Sequence, residues 1–257
     1  MAKIGLIGGS VTGRLLEKSE QVNVTTPYGE TSSPIEIGKI EGKEVALLYR
    51  HGIGHTIPPH KVNYRANIYA LKELGVERII AISAVGSLQK DIEPGTIVIP
   101  DQFFDYTKGR NYTFFDGPNV MHISSADPFC PELAETFHKV LIDMKIKSRK
   151  GGTYVCIEGP RFSTRAESKF FRGVGDIIGM TLVPEINLAR EKEMCYLTLA
   201  TVTDYDVWAD IPVNSLEVMK VMKENEENVM NVVKRGVASI PENRGCSCGL
   251  VLKEAGL

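Results

Sequence analysis

The sequence predicts an α/β fold in a single domain, residues 1–257. Short apolar, β-branched runs alternate with longer segments of helical period along the chain. Several of the strand-like runs stop abruptly at small polar or charged residues, as expected where the carboxyl ends of strands build a ligand site. No low-complexity segment, internal repeat or linker divides the chain, and 257 residues are ample for one sizeable core.

Hydrophobic residues make up 43% and charged residues 24%, with a formal net charge of -2. This is ordinary for a soluble globular enzyme. It offers no basic field for nucleic acid or an acidic membrane surface. The N-terminal MAKIGLIGGS reads as a first core strand broken by glycines, not a secretory signal. No apolar run is long enough to span a bilayer, so the cytoplasm is the expected compartment.

Taken in order, Lys3 to Ile7 is the first strand and Gly8-Gly9-Ser10 ends it. Glycines here let backbone N–H groups approach an anion, with Ser10 as a further donor. The glycines at 5, 8, 9 and 13 do not match a dinucleotide fingerprint. Residues 35–49 alternate as a hairpin and run into Arg50-His51-Gly52. A guanidinium fork with an imidazole beside it suits an oxyanion, the imidazole as one more donor. His51, His55 and His60 crowd this segment, but the Gly and Pro residues around them break the helix that would align a metal pair. His60 reads as a hydrogen-bonded loop histidine.

Val62 to Leu74 is an amphipathic helix stopped by Gly75, and Val76 to Ile82 a core strand ending in SAVGS. Ser83 Oγ and the Ala84 N–H are candidate phosphate donors, or members of a plain turn. Ile97 to Pro100 is a short strand. Residues 101–129 form a long polar and aromatic excursion of the kind that serves function or subunit contact. Helix 132–145 and strand 153–157 lead to EGPRF, where Phe162 either stacks on a flat base or plugs a core. A helix from Thr164 to Phe171 is capped by Ser163 or Thr164. Strand 176–180 precedes Thr181 and a helix from Pro184; a hydroxyl and amides at that junction favour an anion. Glu185 reads as no more than helix N-terminal charge.

Cys195 to Val202 is a buried strand running straight into Thr203-Asp204-Tyr205-Asp206. If the chain stays extended there, Asp204 and Asp206 point to one side and can grip one ligand edge. Paired acceptors suit a heterocycle carrying two N–H donors, such as the N7 and 6-amino edge of adenine. A solvated acidic turn is the plain alternative. Val213 to Ser239 is a long amphipathic helix, read as a solvated face with a core stripe.

TDYDVW resembles the purine-recognition segment of the methylthioadenosine phosphorylases, in the trimeric purine nucleoside phosphorylase family (archaeal type). GGS at 8–10, RHG at 50–52, NYRANI at 63–68, SAVGSL at 83–88, EGPRFSTRAES at 158–168 and GMTLVPE at 179–185 resemble the same family in the same order. Val11 and Thr12 depart from its glycine-rich loop, which leaves that backbone path open. The resemblance implies a central twisted mixed sheet flanked by helices, the nucleoside phosphorylase fold. It implies phosphorolysis: methylthioadenosine and phosphate give adenine and methylthioribose 1-phosphate. A broad-specificity phosphorylase of inosine, guanosine and adenosine is the second reading.

By the same resemblance, Ser10, Arg50, His51, Ser83, Ala84 and Thr181 hold phosphate. Phe162, Met180, Asp204 and Asp206 hold the nucleoside, with the two Asp as the catalytic pair and His55 near the sugar. His122 would reach a neighbouring subunit's site in a trimer or dimer of trimers. Ser163 and Val213 would shape the 5′ end, where an apolar Val fits a methylthio group. No metal or cofactor is implied beyond phosphate as co-substrate. A water-using nucleoside hydrolase and a non-catalytic purine-binding module are the more distant alternatives.

The five cysteines are too few and too scattered for a secreted disulfide framework. Cys130, Cys156 and Cys195 read as buried thiols. Cys246-Ser247-Cys248 is a redox-active close pair or half of a metal site. Thermophilic archaeal members of the family resemble it here, with CxC tails and internal disulfides. Zinc is set aside because no second Cys or His pair lies nearby in sequence.

Overall fold

A computed structural model describes residues 2–9, 14–210, 212–253 and 255–256. Among them eleven strands form one mixed sheet with five α-helices around it. One core layer packs α1 (Tyr64–Glu73) and α4 (Glu185–Glu191) on one face, and the other packs α2 (Pro131–Asp143) and α5 (Ser215–Ser239) on the opposite face. Among the described residues no helix is long and apolar enough to cross a membrane.

The alternating stretch at 35–49 is the expected hairpin, β3 (Ile35–Ile40) against β4 (Lys43–Tyr49). Its turn takes positive φ at Glu41 and Gly42, 49° and 77°, the geometry a two-residue hairpin loop needs. Outside β3 runs β2 (Glu17–Val22), which the sequence reading missed. Its EKSEQV is exposed along nearly its whole length, a charged edge that discourages further pairing. Two more strands escaped the reading. The excursion at 101–129 opens with β7 (Gln102–Tyr106), and β8 (Ser148–Lys150) is only three residues long.

Caps set the helix starts. Asn63 accepts the Ala66 N–H ahead of α1. Thr164, not Ser163, caps α3 (Arg165–Phe171), in a reciprocal capping box with Glu167. Pro184 is the N-cap of α4, so Thr181 lies in the turn before the helix and not at its start.

The central strand is β5 (Arg78–Ser87), longer than expected, with Ser83 and Ala84 inside it and not in a loop after it. Along one edge β11 (Cys195–Asp204) pairs with it in parallel from Arg78 to Gly86. Its other edge is shared. β1 (Ile4–Gly8) takes Arg78 to Ala81, and β10 (Ile177–Gly179) takes Gly86 and Ser87, antiparallel. Between them, residues 82–85 have no strand neighbour on that edge among the described residues. The sheet is split there, and unpaired backbone groups in a split need partners from elsewhere.

Candidate active site

A cavity of about 280 Å3 lies at this split. Arg50, His51, Ser83, Ala84 and Thr181 line it together with Phe162, Ser163, Met180, Asp204 and Asp206. His55 also lines it, stacked on His51 with ring centroids 4.4 Å apart. Val213 and His122 are not among the lining residues. The Val213 N–H donates to the Asp206 carbonyl at 3.0 Å. His122 is exposed, and its N–H bonds the Ala255 carbonyl at 2.8 Å. Ser10 lies outside the described residues; Gly9, next to it, lines the cavity.

Arg50 follows β4, where its N–H donates to the Gly8 carbonyl at 3.1 Å. The side chain is not the free fork the sequence suggested. Nε and Nη2 donate to the Glu185 carboxylate at 2.7 and 2.8 Å, and Nη1 donates to the Ile82 carbonyl in the split at 2.9 Å. Glu185 is therefore no surface helix charge. It is wholly buried and also accepts the Tyr196 hydroxyl at 2.6 Å. Burial pulls the Arg50 pKa down, but the Glu185 carboxylate outweighs it and holds the value above normal. A guanidinium has five N–H groups, so one on each Nη is left for a ligand.

His51 departs from expectation in the same way. Its Nδ1 donates to the Ile57 carbonyl at 2.9 Å. Burial, then the charge on Arg50, push its pKa down to about 4 against that hydrogen bond. The ring is neutral at physiological pH, and its Nε2 is an acceptor, not a further donor. Ser83 Oγ lies 3.2 Å from both Thr181 Oγ1 and Tyr154 Oη. Three hydroxyls from three strands or strand ends thus share one network beside the guanidinium.

At the other end, the acidic pair is not on an extended strand. β11 ends at Asp204, and Asp206 takes a left-handed φ of 51°. Asp204 Oδ1 accepts the Asp206 N–H at 2.7 Å and its Oδ2 accepts the Thr203 hydroxyl at 2.7 Å, closing the chain into a turn. Trp208 anchors this turn through Nε1 to the Ser87 carbonyl at 2.8 Å. Arg165 clamps it from α3 through the Val207 and Ala209 carbonyls. Gly86 makes room: a Cβ there would stand 2.8 Å from Asp204 Oδ1. Asp206 is 4% exposed, and its Oδ2 has no hydrogen-bond partner among the described residues. Burial raises the pKa of both carboxyls, with hydrogen bonds opposing it.

Donors and a cation thus stand at the split, and two carboxyls whose pKa values burial raises stand at the turn of the same cavity. The residue pattern and this geometry both match one family. The model of the phosphorylase superfamily matches residues 3–238. The chain belongs to that superfamily. The S-methyl-5'-thioadenosine phosphorylase of Pyrococcus horikoshii is 61% identical to this phosphorylase-superfamily chain over 253 residues, 98% of each. That of Saccharolobus solfataricus is 55% identical, over 99% of this chain and 97% of its own. Among solved structures, a methylthioadenosine phosphorylase from an antarctic soil metagenomic library superposes with a TM-score of 0.95 at 45% identity, covering 100% of this chain and 92% of its own. A methylthioadenosine phosphorylase from Schistosoma mansoni in complex with adenine superposes with a TM-score of 0.93 at 34% identity, over 98% of each chain.

Two cavity residues of this superfamily member were invisible in the sequence. Val218 and Met222, one turn apart on α5, close the site from a helix read as a solvated face. The available signal was the apolar set Leu216, Val218, Met219 and Met222 on a helix half that buries nothing in the core. Tyr154 and Glu185 were missed because each acts through a neighbour, which spacing does not report.

Proposed function

We propose that the chain catalyses phosphorolysis of S-methyl-5'-thioadenosine, giving adenine and S-methyl-5-thioribose 1-phosphate. The observation that carries this reading is the placement of Arg50, Ser83, Ala84 and Thr181 in the same cavity as the Asp204–Asp206 pair. Phosphate sits at the split, accepting from the free Arg50 N–H groups and the network hydroxyls and donating a hydrogen bond from its own hydroxyl to His51 Nε2. The purine lies against the acidic turn, its face on Phe162.

Cleavage of the glycosidic bond builds positive charge on the sugar and negative charge on the base. Phosphate stabilises the first and then attacks it. The acidic pair discharges the second: one carboxyl accepts the 6-amino N–H while the other delivers its proton to N7, and burial raises both pKa values toward that task. Holding both reactants in one cavity supplies a large share of the acceleration.

Two acceptors favour a 6-amino purine, and the apolar Val218 and Met222 beside Met180 favour a thioether over a hydroxyl. The reaction draws on inorganic phosphate as co-substrate and needs no cofactor. We place the enzyme in the cytoplasm as a homo-oligomer in which His122 serves a neighbouring site; its exposure outside its own cavity supports that reading. The test is release of the free base, adenine from methylthioadenosine and adenosine and hypoxanthine from inosine, each with and without phosphate. Phosphate-dependent release with methylthioadenosine preferred supports the proposal. Phosphate-independent release means a hydrolase, and equal use of inosine means the broad-specificity reading.

A further inference from the structure

At the opposite end of β11 from the acidic pair, Cys130, Cys195, Cys246 and Cys248 bring their Sγ atoms within 4.8 Å of one another, all as free thiols. The second pair that the CxC tail lacks in sequence is supplied by the fold. Cys130 is the N-cap of α2 and Cys195 opens β11. The tail is tied over them at three points. Arg244 Nη1 donates to the Glu193 carbonyl at 2.8 Å, the Gly245 N–H to Glu132 Oε2 at 2.6 Å, and the Leu252 N–H to Glu193 Oε1 at 3.3 Å. Cys130 and Cys195 are fully buried and Cys248 is 7% exposed.

Zinc bound by four thiolates at about 2.3 Å holds its sulfurs about 3.8 Å apart. The Cys195–Cys246 separation is 3.3 Å and no separation in the cluster exceeds 4.8 Å, so shifts of about 1 Å reach that geometry. Compensating positive charge is present. Cys130 stands at the N-terminus of a 13-residue helix, whose dipole favours an anion. Arg190 is 8% exposed, and its Nε has no hydrogen-bond partner among the described residues. With Cys130 and Cys248 it lines a second cavity, of about 640 Å3, which offers a path in from solvent. That cavity shares no lining residue with the active site.

We propose that Cys130, Cys195, Cys246 and Cys248 form a structural tetrathiolate site for Zn2+. Four S–H protons leave to solvent as four Zn–S bonds form, and no electron is transferred. All four positions are taken by protein, so the ion staples the C-terminal tail to the starts of α2 and β11 and has no open position for chemistry.

The test is on the full chain, produced with zinc supplementation and purified under anaerobic, reducing conditions. Elemental analysis is expected to find about one zinc per chain, with Cys130, Cys195, Cys246 and Cys248 protected from alkylation. Chelation is expected to lower the melting temperature and added Zn2+ to restore it. Cobalt in its place is expected to show thiolate charge-transfer bands. Cys248→Ser is expected to weaken zinc binding by about a hundredfold or more, and Cys156→Ser, outside the cluster, to retain the metal. Where Cys248→Ser does not fold, the wild-type chelation and cobalt measurements decide. Metal-free protein with four reactive thiols, or with an intact mass lowered by the hydrogens lost to two disulfides, overturns the proposal.

Discussion

Arg50 and Glu185 form a buried bidentate ion pair, 2.7 and 2.8 Å across its two bonds, between residues 135 positions apart. Neither side chain is more than 3% exposed. Breaking one partner of such a pair costs about 3–5 kcal/mol, because the other charge stays buried alone. Glu185→Gln keeps the shape and one acceptor. It is expected to lower stability and to raise KM for phosphate by roughly 10- to 100-fold, with KM for the nucleoside little changed. Steady-state kinetics with phosphate varied at saturating nucleoside checks this; equal changes in both KM values would refute a phosphate-positioning role.

The acidic turn separates function from stability. Asp206 is held in a site where burial raises its pKa, so its folded value lies above the unfolded one. The stability it contributes is present at low pH and lost as pH rises through the folded value. Asp206→Asn is therefore expected to cut kcat/KM by about 10²- to 10⁴-fold while leaving the protein as stable or more stable at pH 7. Paired denaturation and rate measurements read both effects. Asp204→Asn, which exchanges an acceptor for a mixed donor and acceptor, is expected to move preference toward inosine. An unchanged inosine-to-adenosine ratio would count against base recognition by this residue.

His51 predicts a pH signature. Its folded pKa is about 4 against an ordinary 6.5. Between those values the unfolded chain binds a proton that the folded chain refuses. Its share of stability, present above the upper value, is lost as pH falls through this window, by up to about 3 kcal/mol. His51→Asn is expected to flatten that part of the profile, measured as the urea midpoint from pH 7 to pH 4.

Gly86→Ala tests the packing of the turn. The added methyl would meet Asp204 Oδ1 at 2.8 Å and the Asp206 nitrogen at 3.3 Å. Overpacking of this kind costs about 1–3 kcal/mol. Activity on methylthioadenosine is expected to fall more than tenfold in a folded protein, because a misplaced acid costs rate steeply. Retained activity with unchanged stability would show that the turn has slack.

Strands and helices that bury a periodic face were legible directly. The hairpin, α1 and β9 (Thr153–Ile157) lie within a residue or two of their expected bounds. β2, β7 and β8 were not legible, because a strand paired at a sheet edge or over three residues has no apolar alternation to display. The family motifs located most of the cavity's lining in advance, since small polar residues after apolar runs mark strand ends. Val218 and Met222 escaped because a helix face that covers a cavity looks, in sequence, like a face that covers nothing.

The sequence by itself determined the α/β class, the family and the residue types at both ends of the cavity, because periodicity and local polarity are written residue by residue. Only the tertiary structure decided what those residues do to one another. It decided that Arg50 is braced by Glu185, that His51 offers a lone pair and no proton, and that Asp204 folds back on the Asp206 amide. It also gathered Cys130 and Cys195 under the CxC tail. Each depends on distances between atoms remote in the chain or on a burial that shifts a proton, and both come into being only when the sheet closes on its core.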